Sequence, residues 1–171
     1  MPVYHADSEA RRLMNSDSDL RDAIVEMFGE RAYSGAGLDR EFLAESVFGD
    51  QEKLDWLNRL VHPAVGNDFI RWASLQREAP YVVEEAAILF ESGASEKMDL
   101  SVLVYAPREL RISRVLKRDR VDREDVLKRM DHQMNQEELL NRADHIIHND
   151  GVQMLLPQVI ELHTKILNRL E

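Results

Sequence analysis

A chain of 171 residues is long enough for one domain with a sizeable core, and its 44% apolar content is ordinary for a globular protein. A formal charge of −10 excludes broad, non-specific nucleic-acid binding, which needs Lys and Arg to neutralise backbone phosphates. Zero cysteines exclude disulfides and thiolate metal sites; no run reaches the roughly 20 apolar residues of a membrane span and no signal-peptide layout opens the chain, so a soluble, cytoplasmic protein is expected.

The chain opens on a short apolar segment, Pro2 to Tyr4, that reads as a strand and leads to a carboxylate at Asp7. In open α/β sheets, ligands and catalytic groups collect at the C-terminal ends of strands. A carboxylate there can accept the proton of an attacking hydroxyl. It can equally cap a helix over Ser8 to Met14, and the sequence leaves both roles open.

Helices follow. Asp17 or Ser18 can cap one that carries Leu20, Ile24, Met27 and Phe28 on a stripe and ends at Gly29. After a loop with Gly35 and Gly37, Asp39 caps a short helix through Val47, and Asp50 caps another running to Val61. Pro63 suits the first position of the next helix, where its missing N–H is no loss. His62, at that junction, reads more simply as packing or capping than as a ligand contact.

A second strand is expected at Tyr81 to Glu84, with Phe90 and Glu91 following it much as Asp7 follows the first. A third is expected at Leu100 to Tyr105, then a helix opened by Pro107 that carries Arg111, Arg114 and Arg118 at i, i+3 and i+7, on one face. Between Arg108 and Arg129 lie nine basic residues against five acids. Such a helix can be a solvated face laced to Glu109 and Asp119. It also suits a lid that closes over phosphates, because the planar arginine fork stabilises charge on a transferring phosphoryl group. A fourth strand, His145 to Ile147, precedes a final helix from about Gly151 to Leu170, in which Pro157 predicts a late start or a kink.

Short apolar strands alternating with helices predict an α/β layered fold with a mostly parallel sheet. The histidines lack zinc-like spacing, with His132 and His163 standing alone, so no transition-metal site is expected. None of the seven glycines belongs to a GxxxxGK[ST] phosphate loop. The strand-end carboxylate and the arginine block, without such a loop, read like a phosphoryl-transfer enzyme with an acceptor side and a lid but no nucleotide cradle.

The segments PVYHADSEAR (2–11), LDREFLAESVF (38–48), LVHPAV (60–65), ILFESG (88–93), RISRVLKRD (111–119), RMDHQM (129–134) and RADHIIHNDG (142–151), in this order and spacing, resemble dephospho-coenzyme A kinases of the P-loop kinase type. The resemblance covers essentially the whole chain. It implies one domain over 1–171, a three-layer parallel sheet flanked by helices, a helical acceptor-binding region at about 16–79 and a lid at about 119–135. It also implies ATP-dependent phosphorylation of the ribose 3′-hydroxyl of dephospho-coenzyme A, the last step of coenzyme A synthesis, with Mg²⁺.

By the same resemblance Asp7 is the proposed base. Arg11, Arg40, His62, Phe90 and Glu91 surround the acceptor, Arg114, Arg118, Arg129 and Gln133 grip ATP phosphates, and Asn149 sits beside the adenine. Two departures accompany it. The first Asp of the family's Asp-Ala-Asp run is His5 here. The family's opening strand, phosphate loop and first helix would precede Pro2, so the leading expectation is a kinase given without its front end and inactive in this form, with exposed sheet edges that favour self-association. The alternatives are a non-catalytic nucleotide-binding or dephospho-coenzyme A-binding module and a nucleoside-monophosphate kinase.

Overall fold

A computed structural model describes residues 1–131 and 133–170, which fall into two compact units, Met1–Ala87 and Ile88–Glu171. His132 lies outside the described residues.

In the first unit, strand β1 (Val3–His5) pairs in parallel with β4 (Val83–Glu85), with Val3 opposite Val83 and His5 opposite Glu85. Alternation along β1 buries Tyr4 and leaves Val3 and His5 exposed. Helix α1 (Ala6–Ser16) starts directly at the strand end and turns Ala6 and Leu13 inward, one i, i+7 stripe. Asp17 then caps α2 (Ser18–Phe28), its Oδ1 accepting from the Asp19 and Leu20 amides, and Gly29 ends that helix at φ 85°, a conformation suited to glycine.

The predicted glycine loop contains a two-residue hairpin, β2 (Tyr33–Ser34) with β3 (Gly37–Leu38). Gly37 is required there twice over. Its φ is 103°, and a Cβ would collide with Asn15 Oδ1, which accepts a 2.8 Å hydrogen bond from the Leu38 amide. Helix α3 (Arg40–Val47) is capped by Asp39, as read from the sequence.

The expected break at Pro63 does not occur. Helix α4 runs unbroken over Gln51–Ser74 from its Asp50 cap, with Pro63 inside it. An interior proline removes one helical hydrogen bond. The continuous stripe of Leu57, Val61, Val65, Phe69 and Trp72 buried against Tyr4, Leu13 and Leu20 outweighs that loss. The rings of Phe69 and Trp72 each lie 5.3 Å from that of Tyr4. A second cluster joins Ile24, Ala32 and Leu43.

The Tyr4 hydroxyl donates to Asp68 Oδ2 at 2.9 Å, and Arg12 and Arg71 donate to the same carboxylate at 2.6 and 3.1 Å, fastening strand β1 and helix α1 to α4. The Asp68 side chain is 15% exposed. Burial pushes its carboxyl up, but hydrogen bonds from Tyr4 and Arg12 outweigh burial and hold it below the usual carboxylate range. A depressed carboxyl stabilises the fold above its unfolded pKa, about 3.9, and that contribution is lost as pH falls below it. Asp68→Asn should cost about 2–3 kcal/mol near neutral pH, seen as a melting temperature roughly 5–10 °C lower. It should also flatten the acid limb of the stability curve; an unchanged melt would contradict this role.

In the second unit, β5 (Val102–Tyr105) pairs in parallel with β6 (His145–His148). The strands are clipped at their start by Asp144, whose Oδ2 accepts from the Ser101 amide and hydroxyl at 2.8 and 2.6 Å. Helix α5 (Arg108–Asp119) begins one residue after Pro107, which is its N-cap rather than its first residue. Helices α6 (Arg123–Asp131) and α7 (Gln136–Arg142) follow. Helix α8 (Leu155–Leu170) starts late, as Pro157 predicts, with the proline in the first turn where an amide N–H has no helical partner. Ile112, Val126, Ile147 and Leu162 are buried. Leu156, Val159 and Ile160 on α8 stay exposed, as does Val104 on β5. Among the described residues no helix is long and apolar enough to cross a membrane.

Candidate active site

The first unit holds the predicted base and three predicted acceptor residues. Asp7 lies in the first turn of α1, exposed. The helix begins at Ala6 with His5 as its N-cap residue, and no side chain caps it. This corrects the cap reading: Asp7 stands inside the helix, not before it. Its carboxylate is therefore carried just beyond the C-terminal end of a parallel strand, where it is favoured by the helix N-terminus.

Arg11 and Arg40 are exposed at the middle of α1 and the start of α3, with no ion pair to either among the described residues. His62 is half-buried in α4, and burial pushes its imidazole down, which keeps the ring neutral near pH 7. Two open clefts mark this unit. One, of about 480 Å³, is lined by Leu13, Asp17, Asn67 and Arg71, and the other, of about 540 Å³, by Asp50, Lys53, Trp56 and Arg59. Neither includes Asp7, Arg11, Arg40 or His62.

The second unit holds Phe90 and Glu91. The Arg142 guanidinium lies 5.4 Å over the Phe90 ring, and Glu91 Oε1 accepts from the Met134 amide at 2.7 Å, which ties this loop to the end of the predicted lid. The arginine stripe divides into three environments. Arg111 turns inward: its Nε is buried with no hydrogen-bond partner among the described residues, and burial, then the charge of Arg108, push its guanidinium down. Arg114 is exposed and donates to the Asn149 carbonyl at 2.8 Å, while the Asn149 amide donates to the Tyr105 carbonyl at 2.7 Å. Arg118 grips Asp119 bidentately, at 2.6 and 3.0 Å.

Arg129, on α6, also reaches Asp119 Oδ2, at 3.4 Å. Two guanidiniums eleven residues apart thus share one anionic oxygen. Glu109 does not lace the stripe, as the sequence allowed, but pairs with Arg123 at 2.9 and 2.8 Å, closing α6 onto α5. Gln133 is exposed just beyond α6. Among the described residues no group of three or more His, Asp or Glu side chains forms a metal cage.

Sequence reasoning missed Glu85, which pairs with His5 across the strands, and Arg142, which covers Phe90. The Glu84-Glu85 run opposite the first strand end was the available signal for Glu85. Only its register with β1 picks it out from its neighbour.

Parallel strand pairs alternating with helices, a carboxylate at the end of the first strand, and arginines gathered on a helix and loop after a later strand fit an α/β kinase of the phosphoryl-transfer class. A family model described as Dephospho-CoA kinase matches residues 1–154, and the chain belongs to that family. It is 47% identical over 154 residues to a dephospho-CoA kinase of Salinibacter ruber, an alignment covering 87% of this chain and 76% of the relative. It is 36% identical to one of Bacteroides fragilis, over 95% of this chain and 79% of the relative.

Among solved structures it is similar to TT1252 from Thermus thermophilus, with a TM-score of 0.83 at 34% identity over 96% of this chain and 83% of that one. It is also similar to a dephospho-CoA kinase from Campylobacter jejuni, with a TM-score of 0.67 at 26% identity over 97% and 85%. Membership of a kinase family makes the chain a transferase acting on small molecules and implies ATP use.

Proposed function

We propose that the chain carries the acceptor and lid parts of a cytoplasmic dephospho-coenzyme A kinase, which moves the γ-phosphoryl group of ATP to the ribose 3′-hydroxyl of dephospho-coenzyme A. The observation that carries this reading is the convergence of Arg118 and Arg129 on one carboxylate oxygen. Guanidiniums that can share one anion are placed to share a phosphate. Their hold on Asp119 is through pairs that solvent screens and that add little to stability, so a polyphosphate can displace it.

In the proposed reaction Asp7 accepts the hydroxyl proton as the oxygen bonds to the γ-phosphorus, and the bond to the β,γ-bridging oxygen breaks with its electron pair leaving on ADP. Arg114, Arg118, Arg129 and Gln133 hold the phosphates, and Asn149 sits beside the adenine. Arg11, Arg40, His62, Phe90 and Glu91 bind the acceptor. The 171 residues include no GxxxxGK[ST]. We assign to that loop the lysine that reaches the β- and γ-phosphates and the hydroxyl that meets Mg²⁺, so these residues alone are not expected to transfer phosphate. Exposed Val104 and short strand pairs that, among the described residues, have no third strand support self-association as part of the same reading.

Calorimetric titration of the protein with dephospho-coenzyme A, AMP and UMP tests acceptor choice. Dephospho-coenzyme A should bind at least about tenfold tighter than either monophosphate, a gap of roughly 1.4 kcal/mol. Preference for AMP or UMP would favour the nucleoside-monophosphate kinase reading instead.

A further inference from the structure

His5 and Glu85 are register partners at the C-terminal end of the β1 and β4 pair, and His5 Nδ1 lies 3.1 Å from Glu85 Oε2. A carboxylate only accepts, so Nδ1 carries the proton and donates; in the neutral ring Nε2 is then left with a free lone pair. Both side chains are 60% exposed. An exposed pair of this kind adds little to stability, so the fold does not require it. What the pair does fix is the tautomer and the direction of the ring.

Asp7 stands two residues farther along, exposed in the first turn of α1. Two residues of chain span at most about 7 Å, so one strand end carries two hydrogen-bond acceptors on exposed residues close in the backbone, a carboxylate and an imidazole nitrogen. A vicinal diol offers two donors, matching them in number and type. We propose that His5, oriented by Glu85, is a specificity-determining residue: Asp7 takes the 3′-hydroxyl of the acceptor ribose, and His5 Nε2 accepts from the neighbouring 2′-hydroxyl. The site thereby selects a ribose over a 2′-deoxyribose. This inference rests on the acceptor reading above.

The test compares dephospho-coenzyme A with its 2′-deoxy analogue by calorimetry, on the 171-residue protein and its variants. The wild-type protein should prefer the ribose form by about 2- to 10-fold, the worth of one hydrogen bond. His5→Ala should abolish the preference. His5→Gln, whose amide oxygen reaches the position of Nε2, should restore part of it, and Glu85→Gln should lower it while the melting temperature stays unchanged. Imidazole ¹⁵N spectra should find the His5 proton on Nδ1.

Equal discrimination by wild type and His5→Ala would overturn the proposal, as would wild-type protein that binds both ligands alike or carries the proton on Nε2. A Glu85→Gln variant with the wild-type preference would overturn the role of Glu85. Failure of the wild-type protein to bind dephospho-coenzyme A at all would sink the acceptor reading together with this inference, and so is told apart from failure of the inference alone.

Discussion

Asp7→Asn is expected to keep the fold and to lower turnover by about 10²- to 10⁴-fold, the usual contribution of a general base, when the chain is joined to a strand, GxxxxGK[ST] loop and helix of a dephospho-coenzyme A kinase. The amide can still hold a hydroxyl but cannot take its proton. The side chain is exposed and caps nothing, so the substitution removes no packing and no helix cap. Single-turnover kinetics with saturating ATP would report the chemical step directly. Turnover within a factor of two or so of the parent would remove Asp7 from the mechanism.

Arg114→Ala is expected to lower kcat/KM for ATP by more than about fivefold, beyond the roughly 1 kcal/mol that an exposed polar contact is worth to stability. Arg114 joins α5 to the Asn149 carbonyl, and Asn149 in turn joins the β5 end at Tyr105, so this guanidinium sets the loop assigned to the nucleoside. The acceptor's KM should not change. Unchanged ATP kinetics with a lower melting temperature would leave Arg114 a purely structural role.

Local chemistry made much of the fold readable. Asp17, Asp39 and Asp50 cap the helices that their positions announce, because a short carboxylate before an amphipathic run has one obvious set of amides to satisfy. The four longer strands were found within two residues at either end, and parallel pairing followed from their alternation with helices. What failed was decided by distant packing. Pro63 reads locally as a helix start, but the buried stripe across it holds one 24-residue helix together. The hairpin at Tyr33 to Leu38 and helix α7 are too short to carry a periodic signal.

The site was legible as residue types and only partly as an arrangement. An arginine stripe can be read from i, i+3, i+7 spacing, whereas the inward turn of Arg111 and the joint grip of Arg118 and Arg129 on Asp119 depend on how α6 folds back on α5. His5 and Glu85 are 80 residues apart, and only strand register brings them together. Asp68 carried no functional pattern at all, yet it joins three groups from two helices and a strand.

On the proposed reading, these residues choose dephospho-coenzyme A as acceptor and direct phosphate to its 3′-hydroxyl. The most direct test gives the chain joined to a phosphate-loop segment a mixture of ATP and dephospho-coenzyme A, after purification from any host kinase, and locates the new phosphate by ³¹P and ¹H NMR, with the 171-residue protein alone in parallel. Coenzyme A bearing a 3′-phosphate is expected from the joined chain, and none from the 171 residues alone. Phosphate on the 2′-hydroxyl, no coenzyme A from a folded joined chain, or coenzyme A made by the 171 residues without a loop would contradict it.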